Sequence, residues 1–199
     1  MMKAVHAAFA ATMFALCAGA AAPAAAETIN LVYSGLAVQN TRAAPDMQAF
    51  TDWCATGAQG CIPTVQQPMY DLKSGHLRGT VYVWATLPFV PGASIPSSFC
   101  FSEFMVFVLP GGELYTHTPP NGTCGATIDP ALKPPQHADA GAQTVIAGGG
   151  DGVIVGGSGR FRHWSGSFTD RVFVGFGSPD SGVGGIVYYD QLIFSISGQ

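Results

Sequence analysis

Gly156-Gly157-Ser158-Gly159-Arg160-Phe161-Arg162-His163-Trp164-Ser165-Gly166 is a glycine-serine turn that runs into a basic, aromatic segment and ends on another glycine. So much glycine in so few residues means that the backbone here takes up positive φ or closely approaches another segment, and a Cβ would oppose both. The following residues, Arg160–Trp164, have the composition of a strand. No helix follows to supply a phosphate-binding dipole, and the P-loop lysine is missing. The stretch speaks to fold and not to chemistry.

Outward from it, no segment beyond the N-terminus shows a sustained helical apolar period with caps. Runs rich in Val, Phe, Tyr and Ile alternate instead with Gly, Pro, Asn and Asp, as in an all-β domain. Strands are expected at Thr28–Leu36, Gly79–Phe89, Phe99–Leu109, Glu113–Thr118, Thr144–Ala147, Gly152–Val155, Ser167–Phe176 and Gly185–Ile196, besides Arg160–Trp164. Pro110-Gly111-Gly112 and Gly149-Gly150-Asp151-Gly152 read as tight connections. Two irregular regions break the pattern. Residues 41–73 carry three prolines and a possible helical turn at Asp46–Trp53 capped by Asp46, and residues 119–141 form a proline-rich loop, functional or mobile by its length.

Both faces of Phe99–Leu109 are apolar. Phe99, Phe101, Glu103, Met105, Phe107 and Leu109 share one face, and Cys100, Ser102, Phe104, Val106 and Val108 share the other. If one face fills the lumen of a barrel, the other needs a second layer. With no helices to provide it, oligomer contacts are the natural supply, which predicts a dimer or trimer.

The first 26 residues read as a cleaved signal peptide. Met1-Met2-Lys3 is the basic end, Ala7 to Ala22 the apolar stretch and Ala24-Ala25-Ala26 the small-residue cleavage site. Residues 27–199 then make one domain in a secreted or periplasmic protein, with no membrane span in the mature chain. Charged residues are 10% of the chain and the net charge is −4, which gives no electrostatic claim on nucleic acid or anionic membrane. Four cysteines remain, and an even number behind a signal peptide reads as two disulfides. Cys54–Cys61 and Cys100–Cys124 are favoured because each closes a local loop, contributing roughly 2.5 and 3.5 kcal/mol on the chain-entropy model. Zinc is disfavoured because no Cys-x-x-Cys pair or suitably spaced His is present. No cofactor or metal is expected.

Gly156-Gly157-Ser158-Gly159-Arg160-Phe161 with Gly166 resembles the GGTG-[KR]-[FY]-x-x-A-x-G signature of the allene oxide cyclase and dirigent superfamily. Pro110-Gly111-Gly112 with Phe107 and Leu114 looks like the hairpin that precedes that signature. Ser158 stands where Thr is usual and Trp164 where a small residue is common. The resemblance implies an eight-stranded antiparallel, calycin-like barrel, often oligomeric, whose apolar lumen folds a hydrophobic small molecule into one conformation, as a cyclase or isomerase does. A β-sandwich is the alternative fold. A non-catalytic protein that self-assembles through its apolar outer face is the alternative function.

Glu103 is the candidate catalytic residue. It is in phase with Phe101 and Met105, so if that face lines the pocket its carboxyl is desolvated and serves as a general acid or polarises a ligand carbonyl. Otherwise it pairs with an arginine such as Arg78 or sits at an interface. Tyr82 and Trp84 read as pocket aromatics or as core. Glu113, Tyr115 and His117 form a row that lines a barrel mouth or faces solvent, with His117 a proton shuttle in the first case. Arg162 beside Trp164 could hold a ligand carboxylate or form a surface cation–π rim. The expected ligand-binding set is therefore Tyr82, Trp84, Phe101, Met105, Tyr115, His117, Arg162 and Trp164. Neither a G-x-S-x-G elbow nor a repeated calcium-binding glycine motif is present.

Overall fold

The computed structural model describes residues 27–89, 94–129, 131, 137 and 139–198. The expected signal peptide at residues 1–26 lies outside them. Among the described residues nine antiparallel strands follow in order: β1 (Glu27–Leu36), β2 (Ile62–Asp71), β3 (Leu77–Thr86), β4 (Ser98–Leu109), β5 (Gly112–His117), β6 (Thr123–Ile128), β7 (Thr144–Gly157), β8 (Gly166–Phe176) and β9 (Ile186–Gly198), with an α-helix, α1 (Gln48–Cys54), between β1 and β2.

Pairing runs β3-β2-β1-β9-β8-β7-β5-β4, and β4 pairs back onto β3, so the sheet closes in a ring. β5 and β6 share one place in it. β5 lies between Phe104–Leu109 of β4 and Val153–Gly157 of β7, whereas β6 lies between Ser98–Phe101 of β4 and Val145–Gly150 of β7. Cys100 and Cys124 face each other in the β4–β6 register and are bonded, and Cys54 is bonded to Cys61 beyond α1. Both pairings are the favoured ones, and two such bonds fit an oxidising compartment. Among the described residues, no helix is long and apolar enough to cross a membrane.

The main core fills the ring. Ile29, Leu31 and Tyr33 of β1, Val81 and Val83 of β3, and Phe101, Met105 and Phe107 of β4 meet Phe168, Val172 and Val174 of β8 there. The odd face of β4 is the inner one. Its outer face gets its second layer from α1, whose Phe50 and Trp53 pack on Trp84, Phe104 and Val106. Ring centroids from Phe50 to Trp84 and Phe104 are 5.6 and 5.0 Å apart, edge to face. The Trp53 Nε1–H donates to Ser102 Oγ at 2.6 Å. This region therefore needs no second subunit to cover it.

Several strand assignments require correction. Arg160–Trp164 is not a strand: Gly159–Phe161 is a turn of 3-10 helix, and Trp164 packs edge-on against Phe161 at 4.9 Å. The glycines serve a backbone approach. Gly159 has φ of +56°, and a Cβ there would lie 2.0 Å from the carbonyl oxygen of Gly111 in the β4–β5 turn. The two glycine turns pack face to face, tied by the Arg160 N–H donating to Gly111 O at 2.9 Å. Together with Phe161 and Trp164 they plug one end of the ring. Residues 149–152 are not a turn either, and the expected strands on either side of them are one strand, β7. Finally, β2 and β6 emerge from the two regions read as irregular. The helix starts at Gln48 with Met47 as its cap residue, and Asp46 makes no cap.

Candidate functional site

Four inward positions on three strands carry polar side chains that meet in the middle of the ring. Glu103 of β4, Asp170 of β8, and Tyr189 and Gln191 of β9 are joined there by Tyr33 of β1, and all are at most 5% exposed. Sheet register brings them together, since Tyr33 faces Gln191 across β1–β9 and Val172 faces Gln191 across β8–β9. The Tyr189 hydroxyl donates to Glu103 Oε1, and the Gln191 amide nitrogen donates to Glu103 Oε2 at 3.4 Å. The same amide donates to Asp170 Oδ2, while its oxygen accepts from Tyr33. Asp170 also accepts from the Gly150 backbone N–H at 2.7 Å.

Among the described residues no ion pair reaches either carboxyl, and Arg78 sits near the start of β3, away from Glu103. The neighbouring Arg171 lowers Asp170 through its charge without pairing with the carboxyl, and its guanidinium donates to the Asp170 backbone carbonyl instead. Burial, then the neighbouring Asp170, push Glu103 up to about 8, against the opposing hydrogen bonds from Tyr189 and Gln191. Burial also raises Asp170, to about 6, with the Gln191 and Gly150 donors working the other way. Both tyrosines are held well above their usual range, first by burial. Each carboxyl disfavours the other's charge, so the pair holds a proton to higher pH than a free carboxyl does. The Tyr189 hydroxyl can accept as well as donate, so it is a partner for Glu103 in either protonation state.

The ring is open at the end opposite the glycine plug. A mouth of about 350 Å³ opens between the starts of β2, β7 and β9 and the ends of β3 and β8. Beside it, an inner chamber of about 30 Å³ is walled by Phe99, Phe101, Ile146 and Val174, with Glu103 and Tyr189 contributing only apolar surface to it. Mouth and chamber share Thr64, Leu87, Phe176 and Ile186 as walls. The chamber is large enough for one water-sized group.

Of the residues singled out in the sequence, this arrangement gathers Glu103 and Phe101, with Met105 buried on the same inner face. The others lie elsewhere. Trp84 is under α1 on the outer face, and Tyr82 is outside with Arg42 5.1 Å above its ring. Tyr115 donates to Glu113 at 2.7 Å, and Arg42 holds Glu113 through both carboxylate oxygens at 2.9 Å. The two partners keep the Glu113 carboxyl below its usual range even though partial burial pushes it up. His117 stacks on Phe104 on the outer face. Arg162 lines an open outer cleft with Arg42 and Tyr115, and Trp164 belongs to the plug. A ligand inside the ring would touch none of these six.

Sequence reasoning missed Tyr33, Asp170, Tyr189 and Gln191, although Asp170 carried the same signal as Glu103: it lies in phase with Phe168, Val172 and Val174. A second buried cluster was also missed. On the outside of the ring, His137 Nε2 meets Asp190 at 2.8 Å and Ser34 Oγ at 3.4 Å, and its ring stacks on Tyr188. Acid and hydroxyl share one ring nitrogen, so His137 cannot be oriented by Asp190 while taking a proton from Ser34. This is an anchor for residue 137, not a hydrolytic triad. No family model, no curated protein and no solved structure matches the chain.

Proposed function

We propose that the chain is a secreted or periplasmic barrel of the allene oxide cyclase and dirigent type that binds a hydrophobic small molecule inside its ring. The observation that carries this reading is the apolar cavity at the open end of the ring, with buried Glu103 among the residues around its inner chamber. Two buried carboxyls without an ion pair cost stability, and a fold with no ligand to bind would gain by replacing them with apolar side chains. In the catalytic version the walls of the cavity fold the ligand and Glu103 lends its proton to a ligand oxygen. The proton returns to Glu103 after rearrangement, so that isomerisation or cyclisation needs no co-reactant. A purely structural role has no use for this cavity.

Native mass spectrometry of the oxidised protein purified from its own host tests the reading. A co-purified apolar molecule on the folded chain is the expected result, and incubation with that molecule then separates carrier from isomerase. A ligand-free mass, with no rise in melting temperature from any apolar compound in a panel, would overturn it.

A further inference from the structure

The two parts of the cavity offer a ligand different surfaces, and the difference sets which way round it lies, an inference that rests on the luminal binding proposed above. The inner chamber is closed by Phe99, Phe101, Ile146 and Val174, and even Glu103 and Tyr189 give it only apolar surface. A hydroxyl, carbonyl or carboxylate placed there would lose its water and gain no hydrogen bond. The mouth is mixed. Leu87, Phe176 and Ile186 continue the apolar wall outward, whereas Gln39, Gln143 and Thr144 bring amides and a hydroxyl.

These polar groups have capacity to spare. Gln39 donates its amide N–H to the carbonyls of Asn40, Pro63 and Thr64, each at 3.3 Å, which leaves its amide oxygen to accept. The Gln143 amide and the Thr144 hydroxyl make no hydrogen bond among the described residues. No cation is among the described residues of the mouth, and Asp180 stands in the turn between Pro179 and Val183, two of its lining residues. A carboxylate or phosphate at the mouth would trade water for neutral partners near a like charge.

We infer that the ligand is an uncharged amphiphile, its apolar tip in the inner chamber and its polar group among Gln39, Gln143 and Thr144 at the mouth. An alcohol, ester, amide or ketone oxygen suits those three side chains. The chamber, at about 30 Å³, takes a terminal methyl and little more, so the rest of the apolar body lies against Leu87, Phe176 and Ile186. This orientation holds the ligand's oxygen away from Glu103, and so makes the protein a carrier and not an isomerase working through that carboxyl.

NMR titration of the wild-type protein with three six-carbon probes at neutral pH tests the inference: hexan-1-ol, hexane-1,6-diol and hexanoate. Hexan-1-ol is expected to bind roughly fivefold to tenfold tighter than either of the others. The diol must bury a second hydroxyl or leave the chamber empty, and hexanoate brings an unpaired charge to the mouth. Nuclear Overhauser contacts are expected from the terminal methyl of hexan-1-ol to the methyls of Ile146 and Val174, and from its hydroxyl-bearing carbon to Gln143 and Thr144. A diol as tight as the alcohol, or contacts from the hydroxyl-bearing carbon to Ile146 and Val174, would overturn the orientation. Hexanoate as tight as the alcohol would overturn the uncharged head. Each of these results would leave luminal binding intact, whereas no shift at Ile146 or Val174 with any probe would remove the luminal reading itself. Ile146→Phe, which narrows the chamber, is expected to weaken hexan-1-ol about fivefold or more, and unchanged affinity would show that the tip lies elsewhere. Should that variant not fold, the wild-type contacts decide the point by themselves.

Discussion

Glu103 ties stability to pH in a direction opposite to most surface carboxylates. In the unfolded chain it ionises near 4.5, whereas in the folded ring burial keeps it protonated up to about 8. Between those values the folded state holds the extra proton, so stability is full below the lower one and is lost as pH rises through the higher. Asp170 adds a smaller loss of the same sign between its usual 3.8 and about 6. The denaturant midpoint is therefore expected to fall from pH 5 to pH 8.5. The fall amounts to a few kcal/mol in free energy, since each tenfold change in proton affinity on folding is worth roughly 1.4 kcal/mol. Glu103→Gln should flatten most of that fall, leaving the variant more stable than wild type at pH 8.5. A wild-type stability that rises across this range would show that Glu103 is ionised and paired. Glu103 itself was legible in the sequence because it interrupts an apolar face. Its partners were less so, since Tyr189 and Gln191 read as ordinary strand residues until the register of β1, β8 and β9 brings them to one level.

Elements were legible where composition and period agreed and misread where glycine or proline spoke for two structures at once. Gly149, Gly150 and Gly152 read as part of a turn because glycine marks turns. In β7 they mark a strand pressed between neighbours, where a Cβ on Gly150 would lie 2.0 Å from Gly122 O. Gly150→Ala is thus expected to push β6 off β7 and to destabilise by roughly 1–3 kcal/mol in a urea titration. β2 was hidden by Pro63 and Pro68, which argue against a central strand. It tolerates them because its ladder with β1 is confined to Leu31–Asp71 and Val32–Tyr70, far short of its length. The helix was legible only as a possible turn, yet it covers the outer face of β4. Trp53→Ala removes its packing on Phe50 and Phe104 and orphans the bond to Ser102. A loss of about 3–5 kcal/mol is expected, with binding inside the ring retained wherever the protein is folded, because α1 lies outside the ring.

At the scale of the molecule, one end of the ring is plugged by two glycine turns and the other opens onto a cavity whose described lining is uncharged. The all-β class could be read from strand-rich runs and turn punctuation, but two apolar faces on β4 left open which one points inward. Closure could not, because it depends on β3 pairing with β4 and on β5 and β6 sharing a place, which no local pattern encodes. Nor could the sequence show which aromatic residues lie outside, so Tyr82, Trp84, Tyr115 and His117 passed for pocket residues. The central claim is that an apolar molecule binds inside the ring at its open end. A crystal structure of the protein with the apolar molecule that co-purifies from its host tests it most directly. The expected result is that molecule inside the ring, against Phe101, Ile146 and Val174. The same molecule bound instead in the outer cleft beside Tyr115 and Arg162, with the inner chamber holding only water, would contradict it.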